Sequence, residues 1–265
     1  MIPFFPPPHD NDFTPQIKGE MAHAAYLPAV NTGYARLINK SMATLRGQRT
    51  RSIAGYSRTS VFDFLDKKKG KLYYPFALYS AGHAFLDTDK SDAEEAFIQN
   101  RNRKKTRLLA DSGGYQLIKG ILKIEWDNET KANATRRKIL NWIEHTADGG
   151  MTLDVPTAAI DMNSDFWTFD RCLEETIKSN KIFAEKKTDT AILNTLHGRT
   201  EPEEEAWYKA VKDFPFQGWA FGGGIRMNLR RVLRRLIKLR DDRMLDKGRA
   251  EWLHFLGVEQ SHWER

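Results

Sequence analysis

The chain has 265 residues, 40% of them apolar and 11% aromatic, with one cysteine and a formal charge of +7. That content can bury the core of one large α/β domain or two small ones, and it excludes a disordered chain. The single cysteine, Cys172, excludes an intrachain disulfide or multi-cysteine metal site within these residues, and makes a reducing, cytoplasmic setting the expectation.

The first 60 residues open on MIPFFPPPHDNDF and then turn polar, with little periodicity. They read as an N-terminal arm or capping segment, and residues 61–265 as the folded domain. The opening has neither a basic leader nor a small-residue cleavage site, so no signal peptide is expected. No apolar run approaches the roughly 18 residues of a membrane span, so no membrane partner is expected.

A rhythm begins after residue 60. Short apolar or β-branched runs end in small or polar residues: YYPFALYSAG (73–82), TRLLADSGG (106–114), GGMTLDVP (149–156), DTAILNTLHG (189–198), GWAFGGG (218–224) and EWLHFLGV (251–258). Helical stretches separate them, among them TKANATRRKILNWIEHTADG (130–149) and EPEEEAWYKAVKDF (201–214). The second has Thr200 as its N-cap and acids in its first turn. Strand, helix, strand in repetition is the pattern of parallel βα units.

Asp111, Asp154, His197 and the run Gly222, Gly223, Gly224 each stand at the C-terminal end of a strand candidate. A doubly wound sheet gathers ligands mainly at one switch point. A (β/α)8 TIM-like barrel brings every strand end to one pocket. Four polar strand ends favour the barrel; six strand candidates rather than eight leave it incomplete at the C-terminus.

Each of these positions also has a plain structural reading. The glycines can form a tight strand-to-helix turn, or bring backbone N–H groups close to a ligand oxygen; the spacing fits neither GxxxxGK[ST] nor GxGxxG. His197 can be a satisfied structural histidine. A carboxylate directly after an apolar strand is costly to bury alone, so Asp111 and Asp154 each cap a turn or face a polar pocket. No HxH, HExxH or carboxylate–His pair has ligand spacing, so no metal is expected within these residues.

The positive charge is bunched in KKKGK (67–71), RNRKKTR (101–107) and the stretch Arg226 to Arg243. In the last, Leu229, Val232, Leu233, Leu236 and Ile237 recur at helical spacing while Arg230, Arg231, Arg234, Arg235 and Lys238 take the other positions. This predicts an amphipathic helix with one cationic face. Such runs are either solvated faces or a footprint for a polyanion; three of them at this net charge point to nucleic acid.

Asp111-Ser112-Gly113-Gly114-Tyr115-Gln116 resembles the DSGG[FY]Q motif of tRNA-guanine transglycosylases. MTLDVP resembles that family's strand ending in a substrate-reading Asp, NTLHG its VQG segment, GWAFGGG its G-[YW]-A-x-G-G segment and HFLGV its LMGV strand, all in the same order. The resemblance implies a (β/α)8 barrel that exchanges guanine in a nucleic acid for a 7-deazaguanine through a covalent glycosyl–enzyme intermediate. It implies that Asp111, next to Ser112 and Gly113, helps proton transfer at the reacting ribose and base. Asp154 would accept from the guanine Watson–Crick edge, the Gly222–Gly223 backbone would donate to its carbonyl, and Tyr115 and Leu256 would sandwich the ring.

There are departures. His197 stands where the family has Gln, VPTAAIDMN replaces the run after the substrate-reading Asp, and Gly224 interrupts the usual glycine pattern. The nucleophilic Asp and the Cys/His zinc site implied by the family lie beyond Val258, so no cofactor is expected within these residues. The remainder would come from a continuing chain or from a second polypeptide completing the barrel; an in-chain substitute for the nucleophile, such as Asp161, is the less favoured alternative. SAGH (80–83), where tRNA enzymes have an NTYHL-like segment, and the departures together resemble the DNA-directed (DpdA-like) 7-deazaguanine transglycosylases of phages and bacteria. The same exchange on tRNA, and a non-catalytic nucleic-acid or deazapurine-binding subunit, stay open. For the DNA reading, Arg226, Arg230, Arg231, Arg234 and Arg235 are expected on the backbone.

Overall fold

The computed structural model describes residues 25–38, 59–222, 229–246, 248–250 and 252–256. Seven strands pair in parallel and in chain order: β1 (Ala29–Val30), β2 (Phe76–Ser80), β3 (Arg107–Asp111), β4 (Gly149–Met151), β5 (Ala191–Leu196), β6 (Gly218–Phe221) and β7 (Trp252–Phe255). β2 to β7 fall inside the six runs expected from sequence. The first strand was not expected: it lies within the segment read as an arm and pairs with β2 through Ala29–Leu78 and Val30–Tyr79.

Between strands lie the longer helices α1 (Glu129–Thr146), α2 (Phe169–Lys186), α3 (Glu201–Val211) and α4 (Leu229–Asp241). Their starts follow the local chemistry of capping. The side chains of Asn128, Thr168 and Thr200 accept from the backbone N–H groups of Lys131, Arg171 and Glu203, satisfying donors that the helix itself leaves open. No described helix is long and apolar enough to cross a membrane.

The sheet is curled. In a flat sheet with strands about 4.8 Å apart, β4 and β7 would lie about 14 Å from each other. Instead a Cβ built on Gly149 would sit 2.6 Å from Trp252 Cζ3, so the indole crosses the inner face to touch β4. Leu109, Met151, Leu193, Ala220 and Trp252 form one buried inner cluster, with Leu27, Leu78, Ala191 and Leu256 packed on it. Outside, two larger clusters pack the helices on the sheet; Ile139, Trp142 and Ile143 belong to one, Trp207, Trp219 and Leu239 to the other. Covered on both faces, strands such as Leu108–Ala110 and Ile192–Leu196 are buried throughout; the first is an unbroken apolar run, and the second carries the buried polar residues Asn194 and Thr195. Among the described residues β1 pairs only with β2 and β7 only with β6, so the curl is not closed. The result is an α/β fold with a seven-stranded parallel half-barrel, its strand C-termini on one face.

Candidate functional site

Parallel strands in one curled sheet bring their C-terminal residues to a common mouth. β2 ends on Ser80 and β3 on Asp111, paired in register. The chain after β4 carries Thr152 and Asp154, that after β5 His197, that after β6 Gly222. Leu256 follows β7 and packs on the inner cluster.

The tightest contact in the mouth joins β4 to β5. His197 Nε2 lies 2.7 Å from Asp154 Oδ2, and both side chains are buried. An imidazole that bonds a carboxylate through Nε2 carries its proton there. The ring is fixed from three sides: Trp207 meets it edge-on with centroids 5.1 Å apart, Asp154 holds Nε2, and Gly222 lies flat against it. A Cβ on Gly222 would overlap the imidazole, coming 2.5 Å from Nε2. Here the glycine provides close approach rather than a phosphate cradle.

The turn after β3 is built the same way. Gly113 has φ of +99°, a left-handed conformation that a side chain strains, and it opens the helix Gly114–Ile118. A Cβ on Gly114 would lie 3.0 Å from Asp154 Oδ2, so the DSGG turn lies against the Asp154 carboxylate. Ser112 Oγ donates to Thr152 O at 2.9 Å, tying the β3 and β4 ends together. Asp111 points to the same mouth. Ser80 Oγ bonds it and lies 2.8 Å from the Gln116 side-chain oxygen position. A hydroxyl has one proton, so donation to Asp111, with the Gln116 amide turned to donate to Ser80, satisfies all three groups. Tyr115 stands 61% exposed at the rim, with Lys119 Nζ 5.6 Å from its ring centre.

Burial pushes the Asp111 carboxyl up to about 6, and the nearby Asp154 charge adds to this; Ser80 and the Gly113 and Ser112 N–H groups oppose it. The sign follows directly. The folded state keeps this proton to about pH 6, while an unfolded chain releases it near pH 4. The stabilisation is full below pH 4 and is lost as pH rises through 6. Asp111→Asn is therefore expected to flatten the fall in urea midpoint between pH 4 and 7. An unchanged fall would show that another group, such as Asp63, also pushed up to about 6, accounts for it.

The basic clusters are placed otherwise than expected. The apolar stripe of α4 is split: Leu229, Leu233 and Ile237 are 50%, 48% and 48% exposed, while Leu236 packs on the outer cluster with Leu239. Three arginines of the expected cationic face turn inward onto Glu204 of α3, itself buried. Arg231 Nε reaches Glu204 Oε1 at 2.7 Å, Arg234 Nη2 reaches Oε2 at 2.9 Å and Arg235 Nη2 lies 3.3 Å from Oε1. Arg235 also donates to His197 O at 2.9 Å and Arg231 to Gly198 O at 3.1 Å. Arg231 and Arg235 thus hold the loop that carries His197, and Arg235 is buried rather than on a solvated face. Arg230 is exposed; Gly223, Gly224 and Arg226 lie outside the described residues. The other two runs meet at Tyr73, whose hydroxyl donates to Lys105 O at 3.1 Å and whose ring lies 5.7 Å from Lys67 Nζ. Tyr73 precedes β2 and Lys105 precedes β3, so this cationic patch lies at the strand N-termini, opposite the mouth.

Sequence reasoning missed Ser80, Gln116 and Glu204. The first two sit inside the SAGH and DSGGYQ segments; Glu204 has the sequence signature of an ordinary first-turn acid. The zinc site implied by the resemblance falls beyond the described residues, and no step below passes through it. Comparison with known proteins finds no matching family model and no matching curated protein, so the functional reading stands on the motif series and the site's own geometry.

Proposed function

We propose that this chain is the base-exchange domain of a guanine transglycosylase-like enzyme, with a (β/α)8 barrel completed by chain beyond the described strands or by a second polypeptide. Its substrate is DNA, in which guanine is replaced by a 7-deazaguanine derivative in the cytoplasm of a bacterium or phage-infected host. The observation that carries the reading is the Asp154–His197 contact beside Asp111 at one mouth of strand ends. That is where a flat base with N–H donors would be read and its proton moved.

The roles are those the resemblance implies, set on this geometry. Asp154 Oδ2 is occupied by His197, so Oδ1 accepts from the guanine N–H edge. Tyr115, exposed at the rim, stacks on the ring, a contact worth roughly 1–3 kcal/mol per base. A carboxylate attacks C1′, forming a C1′–O bond as the C1′–N9 bond breaks, and the electron pair leaves with guanine. On the resemblance that carboxylate lies beyond Val258. Asp111, protonated to about pH 6, supplies the departing base with a proton. Its carboxylate then takes the N9 proton of the incoming base as N9 attacks C1′ and frees the nucleophile. Duplex DNA must give up the stacked guanine first, at a cost of a few kcal/mol.

Radiolabelled guanine offered with duplex DNA and with tRNA tests the reading. Label entering DNA alone is the expected result, label entering tRNA moves the substrate to tRNA, and guanine binding without exchange makes the chain a base-binding subunit. Asp154→Asn replaces a charged acceptor by a neutral amide and should weaken guanine binding about ten- to a hundredfold with DNA affinity unchanged. Equal loss of both would sink the assignment of Asp154 to the base.

A further inference from the structure

β7 alternates cleanly. Leu253 and Phe255 join the outer cluster under the helices, while Trp252 and Leu256 join the inner one. His254 lies between the last two at two-residue spacing, so its side chain shares the inner face. Its neighbour in register is Ala220 of β6, which in turn pairs with Thr195 of β5. The inner row Thr195, Ala220, His254 is two residues, about 7 Å, below the row that ends in His197, Gly222 and Leu256.

His254 is partly buried, and its Nε2 atom is fully buried without a hydrogen-bond partner. Burial holds its pKa down at about 4, so the ring is neutral at physiological pH. An unpartnered buried imidazole nitrogen is destabilising, a cost that an apolar side chain at the same place would avoid. The neighbouring strand presents only small inner residues, Gly218, Ala220 and Gly222. Gly222 is covered by the His197 ring and Gly218 by the β7 backbone at Trp252. Ala220 lies between them, beside the imidazole.

We propose that His254 is a base-contacting residue: its Nε2 makes one hydrogen bond to an uncharged polar group on the edge of the base that enters the half-barrel below the Asp154–His197 layer. This rests on the base-binding reading of the strand-end mouth. The apolar neighbours Trp252, Ala220 and Leu256 select against a cationic or anionic substituent at that edge, since a charge there would lose its water for one neutral partner.

Equilibrium dialysis with radiolabelled guanine, on wild-type protein and on His254→Phe, His254→Gln and Asp154→Asn, tests this together with the side-chain nitrogen NMR signals of His254. Expected are a five- to tenfold weaker affinity in His254→Phe, recovery of most of it in His254→Gln, whose amide restores a polar atom, and a shift of the Nε2 signal on adding guanine. Wild-type affinity in His254→Phe with an unmoved Nε2 signal overturns the proposal while leaving the base site standing; that is the outcome for a nitrogen satisfied by trapped water. If His254→Phe does not fold, the Gln variant and the Nε2 signal decide. A wild-type protein that retains no guanine overturns the base-binding reading and the proposal with it.

Discussion

Gly222→Ala should abolish measurable guanine binding and cost about 3 kcal/mol of folding stability. The added Cβ would occupy the space of the His197 imidazole, and the ring has nowhere to go. Its edge is against Trp207, which is fully buried, and its Nε2 is tied to Asp154. Overpacking a filled site costs about 1–3 kcal/mol, and losing a hydrogen bond to a buried carboxylate adds about 1.5–3 kcal/mol less whatever relaxation recovers. The Asp154 carboxylate, freed from His197, no longer presents Oδ1 in a fixed direction. Thermal melts and guanine dialysis on the one variant check both effects. A normal melt with normal binding would show that the imidazole can leave its place, and that the contact with Asp154 does not hold the site.

Glu204→Gln is the second large effect, expected at about 3–5 kcal/mol in urea unfolding. One buried carboxylate balances three guanidinium groups, and Arg235 is itself only 8% exposed. Burial already holds Arg235 below the ordinary guanidinium range, with Glu204 opposing the shift. Removing the buried charge that pairs with it leaves the Arg235 guanidinium beside Arg231 and Arg234 without that partner, the case in which breaking a buried pair is costly. Since Arg235 and Arg231 also hold the carbonyls of His197 and Gly198, guanine affinity should fall with stability. A variant as stable as wild type would mean that the cluster is solvated. For the same reason, multiple Arg→Gln changes on α4 would report on folding rather than on phosphate contacts. Phosphate contacts are better tested at Lys67, Lys68, Lys104 and Lys105, which are exposed.

Much of the architecture was legible because parallel strands covered on both faces are rich in apolar residues, and β2 to β7 each carry a short apolar run, as in Leu108–Ala110 and Trp219–Phe221. β1 was not, since two residues in LPAVN carry no period. α2 was not singled out either. Its buried face holds Glu175, Thr176, Ser179 and Asn180 beside Cys172 and Phe183. Thr176 takes the Val155 N–H, Asn180 donates to Asn194 and Glu175 pairs with Arg136, so a polar network shares the buried face with Cys172 and Phe183. For α4, periodicity gave the helix but not its inward side, where Arg235, paired with Glu204 of the neighbouring helix, is buried beside Leu236 and Leu239. In the site, strand-end position picked out Asp111, Asp154 and His197. That Asp154 and His197 bond each other depends on where β4 and β5 end relative to one another, and the spacing between the residues carries no trace of it.

The chain-order pairing of the strands bears on how the molecule is made. Each strand, as it leaves the ribosome, finds its partner in the one just before it, so the half-barrel can grow by addition at a single advancing edge without waiting for distant sequence. The interior cannot be finished on that schedule. Gly149 keeps its inner face bare until Trp252, in the last described strand, crosses to cover it. Nascent chains halted before Trp252 should hold their outer helices in place around an unfilled centre and become protease-resistant only once that indole has been synthesised.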